Sequence, residues 1–147
     1  MMLEHIRRWM ESGQQMPVCN LIGMSVEHVE PTLARCSLIA SDKHWNPFGT
    51  VHGGILCDLS DLVMGMAFMT TLDAGEGLAT IELKINYLRP ARTGKLTAEA
   101  KVAHRGRTTG FVECSITDEA GKLVAKAAST CMVVKDERAQ VWNQQGA

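Results

Sequence analysis

Val51-His52-Gly53-Gly54-Ile55-Leu56-Cys57-Asp58-Leu59-Ser60-Asp61-Leu62-Val63-Met64-Gly65-Met66-Ala67-Phe68-Met69 is the stretch on which the fold turns. From residue 55 to about residue 72 the chain carries its only long apolar run without alternation, and that run has no proline. Ile55, Leu59, Leu62 and Met66 fall on one helical stripe with Leu56, Val63 and Ala67 beside it. The spacing predicts a helix that is apolar nearly all round, which the rest of the fold is expected to enclose.

Outward from that run the period changes to two. After the turn Asp73-Ala74-Gly75-Glu76-Gly77, Ile81, Leu83, Ile85 and Tyr87 are expected on one strand face. Thr80, Glu82, Lys84 and Asn86 are expected on the other, and Arg89-Pro90 ends the strand. Leu96, Ala98, Ala100 and Val102 mark another strand; Val112, Cys114 and Ile116 mark the next; Leu123, Ala125, Ala127, Ser129 and Cys131 mark the last. The turns around Arg105-Gly106-Arg107 and Asp118-Glu119-Ala120-Gly121 are short enough for antiparallel hairpins. Upstream, residues 23–40 read as two short strands broken at Pro31, with Ala34, Cys36, Leu38 and Ala40 on one face. Leu3, Ile6 and Met10 share a helical stripe stopped by Gly13, which gives an N-terminal helix within 1–16. The expected class is α+β, one long helix with an antiparallel sheet wrapped around it. No repeat or linker interrupts the pattern, so 1–147 reads as a single domain with a polar tail over 135–147.

Composition narrows the function. A chain of 147 residues with 46% hydrophobic content and a formal net charge of -1 has core enough to fold without a metal or disulfide staple. The same balance excludes a disordered chain and a nucleic-acid module built on a broad basic face. The 5 cysteines (Cys19, Cys36, Cys57, Cys114, Cys131) contain no CxxC pair, and the 5 histidines form neither HExxH nor HxH, so no metal site is expected. No signal-peptide pattern and no run of the ~20 apolar residues that a membrane span requires are present, so a cytoplasmic protein without membrane partners is expected.

Asp58 and Asp61 interrupt the apolar helix three residues apart, on one helix face. Either that face is a wet seam that solvates both, or at least one carboxylate faces a cleft and serves as a base or nucleophile. Gly53-Gly54 at the start of the helix likewise has two readings: a tight turn into the helix, or a close approach for a ligand oxygen to free N–H groups at the positive end of the helix dipole. The second suits a carbonyl oxygen that becomes an oxyanion in acyl transfer. Gly53 and Asp61 are eight residues apart, about 12 Å along a helix, whereas a reacting carbonyl must lie within roughly 3 Å of both groups. A second copy with its helix antiparallel to the first brings Gly53 of one chain toward Asp61 of the other, which predicts a two-fold dimer with shared sites.

The run His44-Trp45-Asn46-Pro47-Phe48-Gly49-Thr50-Val51-His52-Gly53-Gly54-Ile55-Leu56-Cys57-Asp58-Leu59-Ser60-Asp61 resembles the signature of the hotdog-fold acyl-CoA thioesterases, in their PaaI-like, phenylacetate-pathway branch. The resemblance continues through Ala79-Thr80-Ile81-Glu82-Leu83-Lys84-Ile85-Asn86-Tyr87-Leu88-Arg89-Pro90-Ala91 and His104-Arg105-Gly106-Arg107-Thr108, and spans about residues 23–134. It implies a hotdog fold and hydrolysis of aromatic or medium-chain acyl-CoA to free acid and coenzyme A, with coenzyme A as part of the substrate and no further cofactor. Asp61 is then the catalytic carboxylate, as base or nucleophile. Gly53 supplies the oxyanion N–H with Gly54 beside it, Asn46 positions the thioester or water, His52 shapes the loop, and Thr80 holds the attacking water. A homodimer that pairs again into a tetramer is implied as well.

Arg89, Arg92, Lys95, Arg105 and Arg107 sit at strand ends, either as solvated turn charges or as a track for the coenzyme A phosphates, with Arg89 and Arg107 preferred. Met64, Met66 and Met69 either pack the core or line an adaptable acyl pocket. Cys57 lacks an activating base and Ser60 lacks a GxSxG turn, which leaves both weak as nucleophiles. The same fold also admits a catalytically silent acyl-CoA sensor. A hotdog dehydratase fits poorly, because its catalytic histidine precedes the helix in a different loop.

Overall fold

The computed structural model describes residues 2–135. Its strands are β1 (Met24–Glu30), β2 (Leu33–Ala40), β3 (Glu76–Tyr87), β4 (Gly94–Arg105), β5 (Thr109–Thr117) and β6 (Leu123–Lys135). They form one antiparallel sheet in the order β1-β2-β4-β5-β6-β3. The long helix, α3 (Gly53–Met69), touches all six strands. A flat sheet of six strands is roughly twice as wide as a helix, so contact with every strand requires the sheet to curl around α3. This is the hotdog arrangement.

Side chains of two sizes build the interior. The sheet offers small ones, Ala34, Cys36, Ala98, Ala100, Cys114, Ala125 and Cys131, all buried. The helix fills the space above them with Leu59, Val63, Met64, Met66 and Phe68, also buried. Small against large lets the helix axis lie close to the sheet without voids. Phe68 stands where a side chain on Gly110 would be, which explains the glycine near the start of β5. Met64 and Met66 therefore belong to the core, and Met69 is half-buried at its border.

Several expectations change. The N-terminal helix expected within 1–16 is α1 (Met2–Glu11), followed by an additional short helix, α2 (Pro17–Ile22). Pro17 starts α2, and Gly23 ends it with φ 89, a left-handed conformation that a β-carbon disfavours. Residues 136–147, most of the expected polar tail, lie outside the described residues, and Lys135 still belongs to β6.

The helix is not enclosed on every side. Gly54, Asp58 and Asp61, spaced by four and three, form an exposed stripe along α3, so the apolar pattern overstated its burial.

The alternation of β3 also breaks. The β3–β6 register shifts between Thr80 and Glu82, so Ile81 is an extra, bulged residue. Thr80 pairs with buried Cys131, while Leu83, Ile85 and Tyr87 pair with Ser129, Ala127 and Ala125. Thr80 thus shares the helix-facing side with Leu83, Ile85 and Tyr87 rather than opposing them. In β6, Val124 is buried and Leu123 exposed, because the β5–β6 register slips at Thr117. No helix among the described residues is long and apolar enough to cross a membrane.

Candidate active site

The loop that leads into α3 is held by its own side chains. Ser41–His44 begins it with a single 3-10 turn (Asp42–His44), and the His44 ring accepts from the Ser41 N–H while its other nitrogen meets the Ile22 carbonyl at 2.6 Å. Asn46 closes the next turn: its Oδ1 accepts from the N–H groups of Phe48 (2.9 Å) and Thr50 (3.3 Å), and its Nδ2 donates to Thr50 Oγ1 at 2.9 Å. These contacts, with the N–H of Val51 donating to the Ala91 carbonyl, fix where the helix begins. Asn46 therefore works in this chain as a loop organiser, in agreement with the preference of asparagine for bonding its own backbone two residues on.

At the helix start each glycine faces one ring. A Cβ on Gly53 would stand 2.7 Å from Tyr87 Oη, and one on Gly54 would stand 3.1 Å from His52 Nδ1. Neither glycine has a positive φ, so close approach and not turn geometry accounts for both. The Gly54 N–H donates to His52 Nδ1 at 3.0 Å, which caps the helix and spends that donor. The Gly53 N–H has no hydrogen-bond partner among the described residues. Gly53, expected to donate to the oxyanion, keeps its N–H available to a ligand, whereas the N–H of Gly54, expected to help bind coenzyme A, is spent on the His52 cap.

Two turns along, Asp61 lies on the exposed stripe and accepts a hydrogen bond of 2.9 Å from Thr80 Oγ1. The bulge at Ile81 makes this contact, since it turns Thr80 toward α3. Thr80 thus binds the carboxylate directly. Asp58, exposed on the same stripe, has no such partner among the described residues. Ser60 is fully buried, which excludes it as a nucleophile for an outside substrate. Cys57, the one half-buried thiol, lies 3.3 Å from Tyr87 Oη with no base beside it.

The expected basic cluster is not a single track. Arg92 donates to the Gly49 carbonyl at 3.2 Å, and Lys95 pairs with Glu27 at 2.6 Å. Arg105 lies over the Phe68 ring at 5.3 Å and donates to Thr71 Oγ1 at 3.1 Å. Arg89 and Arg107 are exposed and unpaired among the described residues, but they lie at opposite ends of the sheet. The backbone N–H of Arg89 reaches Val124 at one end of β6, whereas the turn that holds Arg107 leads to Thr109, which pairs with Met132 near the other. Those points are roughly 25 Å apart along the strand, because hairpin turns of an antiparallel sheet alternate between its two ends. Arg89 shares an end with Tyr87 and Gly53, and Arg107 shares one with Thr80 and Asp61.

Sequence reasoning missed Tyr87 as a site residue. Its only signal was its place as the last residue of the strand before Leu88-Arg89-Pro90, and that alone reads as packing.

The thioesterase superfamily model matches residues 48–125, the segment from the loop through both site elements to β6. The chain belongs to the thioesterase superfamily. Among its relatives, the 1,4-dihydroxy-2-naphthoyl-CoA hydrolase of Listeria monocytogenes is 30% identical over 80% of this chain and 95% of its own. Human acyl-coenzyme A thioesterase 13 is 32% identical over 65% of this chain and 69% of its own. A phenylacetic acid degradation-related protein from Ralstonia eutropha superposes with a TM-score of 0.80 at 32% identity, covering 87% of this chain and 98% of that one. The Escherichia coli PaaI protein, at 22% identity and a TM-score of 0.79, shares the fold.

Proposed function

We propose that this thioesterase hydrolyses aromatic or medium-chain acyl-CoA to the free acid and coenzyme A, with Asp61 as the catalytic carboxylate and the Gly53 N–H as the oxyanion donor. The observation that carries the reading is the pairing of an Asp61 carboxylate, held by Thr80 on the open stripe of α3, with an unspent N–H at the start of the same helix. A thioester needs little more. Its carbonyl is electrophilic and its thiolate is a fair leaving group, so a carboxylate that activates water or attacks directly, aided by one N–H on the developing oxyanion, supplies the catalysis.

Both groups stand on one rigid helix, about 12 Å apart, and cannot meet at one carbonyl. A homodimer with antiparallel α3 helices resolves this. Two features support it: the exposed Gly54-Asp58-Asp61 stripe, and β3 as a twelve-residue edge strand with exposed Ile81 and Tyr87. The same two-fold places Arg89 of one copy at the end where the other copy's Arg107 lies, so the two arginines converge on the coenzyme A phosphates across the dimer. Pairing of dimers into a tetramer and a cytoplasmic location complete the proposal. His52 caps the loop, and Asn46 keeps it in shape for the thioester.

Purified protein is expected to release free thiol from phenylacetyl-, benzoyl-, hexanoyl- or octanoyl-CoA, and Asp61→Asn to lower kcat by about a thousandfold or more. Saturable binding of all four without turnover would overturn the enzymatic reading in favour of an acyl-CoA sensor, and full activity in Asp61→Asn would overturn the role of the carboxylate.

A further inference from the structure

The peptide unit between Gly53 and Gly54 is gripped at both ends by side chains. Its N–H donates to His52 Nδ1 at 3.0 Å, and its carbonyl, that of Gly53, accepts from Tyr87 Oη at 3.0 Å. The end of the Tyr87 ring also occupies the place where a Gly53 β-carbon would stand, and the His52 ring packs 3.1 Å from where a Gly54 β-carbon would be. The neighbouring peptide unit, between His52 and Gly53, carries the free N–H. A peptide unit is a rigid plane with two soft torsions on either side, so fixing one plane by both ends leaves its neighbour little freedom to swing.

Tyr87 is suited to this task. It is the last residue of β3, opposite Ala125, and thus anchored in the sheet rather than in the loop it holds. Burial against the helix end, and then its contact with Cys57, push its hydroxyl up to about 12, so it carries its proton throughout the working range. That hydroxyl donates to the Gly53 carbonyl at 3.0 Å, with the Cys57 sulfur 3.3 Å from the same oxygen. Sheet, helix start and helix second turn meet at one oxygen.

We propose that Tyr87 is a positioning residue for thioester hydrolysis, acting through the Gly53 carbonyl to hold the adjacent N–H in the orientation that meets the oxyanion. This rests on the functional reading above. An N–H that is fixed in advance costs no reorganisation when charge develops, and a loosened one loses that advantage in the transition state and not in substrate binding.

Tyr87→Phe keeps the ring and deletes the hydroxyl. On the best substrate of the acyl-CoA panel it is expected to lower kcat about tenfold with KM within about twofold, the pattern of an interaction made in the transition state. The double variant Tyr87→Phe/His52→Ala is expected to lose less than the product of the two single losses, because both act on one peptide plane. Amide hydrogen exchange of Gly54, whose N–H is bonded to His52, is expected on NMR to quicken in Tyr87→Phe while the thermal midpoint stays within about 3 °C, a split that a merely structural role would not give. Wild-type kcat in Tyr87→Phe, a loss confined to KM, or strictly multiplicative losses would overturn the proposal and leave the functional reading standing. A wild-type protein inert on every thioester would instead overturn that reading, and unchanged glycine exchange in Tyr87→Phe would then sink the clamp on its own.

Discussion

The Thr80 hydroxyl has one proton, and it is directed at Asp61 Oδ1 across 2.9 Å. A carboxylate that acts as base or nucleophile must present one oxygen to its target, and a donor on the other oxygen fixes which one is free. Thr80→Val preserves the shape and removes that donor. It is expected to lower kcat by about tenfold, the worth of one charge-assisted hydrogen bond, with Thr80→Ser close to wild type; steady-state thioester kinetics on the three proteins decide it. Asn46 differs in kind. Its oxygen and nitrogen are both engaged inside its own loop, so its influence on the thioester passes through the placement of residues 47–53.

At the level of elements, β3 carries most of what is particular to this molecule. Ile81 is the bulged residue, 56% exposed, in the middle of an edge strand whose outer backbone groups have no strand beside them among the described residues. An apolar side chain there suits pairing with a second β3, and a charge there opposes it. Ile81→Lys is expected to break the pairing through β3, which lowers the mass seen by light scattering below that of the wild type, and to abolish hydrolysis with it, while circular dichroism stays native. A monomer with wild-type turnover would separate the edge from the function. The strands were legible because burial alternates along them, and α3 because its apolar run does not alternate. The bulge was not legible: one extra residue leaves Thr80, Ile81 and Glu82 looking regular, and only pairing with β6 shows that Thr80 turns inward. The six-residue α2 was hidden for another reason, since so short a helix has no periodicity to read. Of the site, the pairs Asp58/Asp61 and Gly53/Gly54 stood out as carboxylates and glycines where apolar helix was expected, and only the family resemblance singled out Asp61 and Gly53. Tyr87 did not, because a tyrosine at a strand end is ordinary until a glycine carbonyl is found 3.0 Å from it.

Across the whole molecule, the buried thiols place a pH sensitivity on the alkaline side. Burial pushes the Cys114 thiol up to about 12 and Cys36 higher still, and Cys19 and Cys131 are raised by the same cause. In the unfolded chain these thiols ionise near pH 9, so above that point the unfolded state binds fewer protons than the folded one and stability falls as pH rises toward the folded values. Urea midpoints are expected to be flat from pH 7 to about 8.5 and to drop steadily above, less steeply in Cys36→Ala. The eight-residue span between Gly53 and Asp61 on one unbroken helix has an effect of its own on defective copies. In the proposed dimer, Gly53→Pro removes the donor N–H and drives its ring against Tyr87, Asp61→Asn removes the carboxylate, and each variant is expected to be dead at both sites. Co-refolded in equal amounts, half of the dimers are mixed, and each of these joins the good Gly53 of one copy to the good Asp61 of the other. Two inactive proteins should then restore about a quarter of wild-type turnover. In a dimer with shared sites, damage to the two halves would be complementary, and a single copy could be defective without the pair being so.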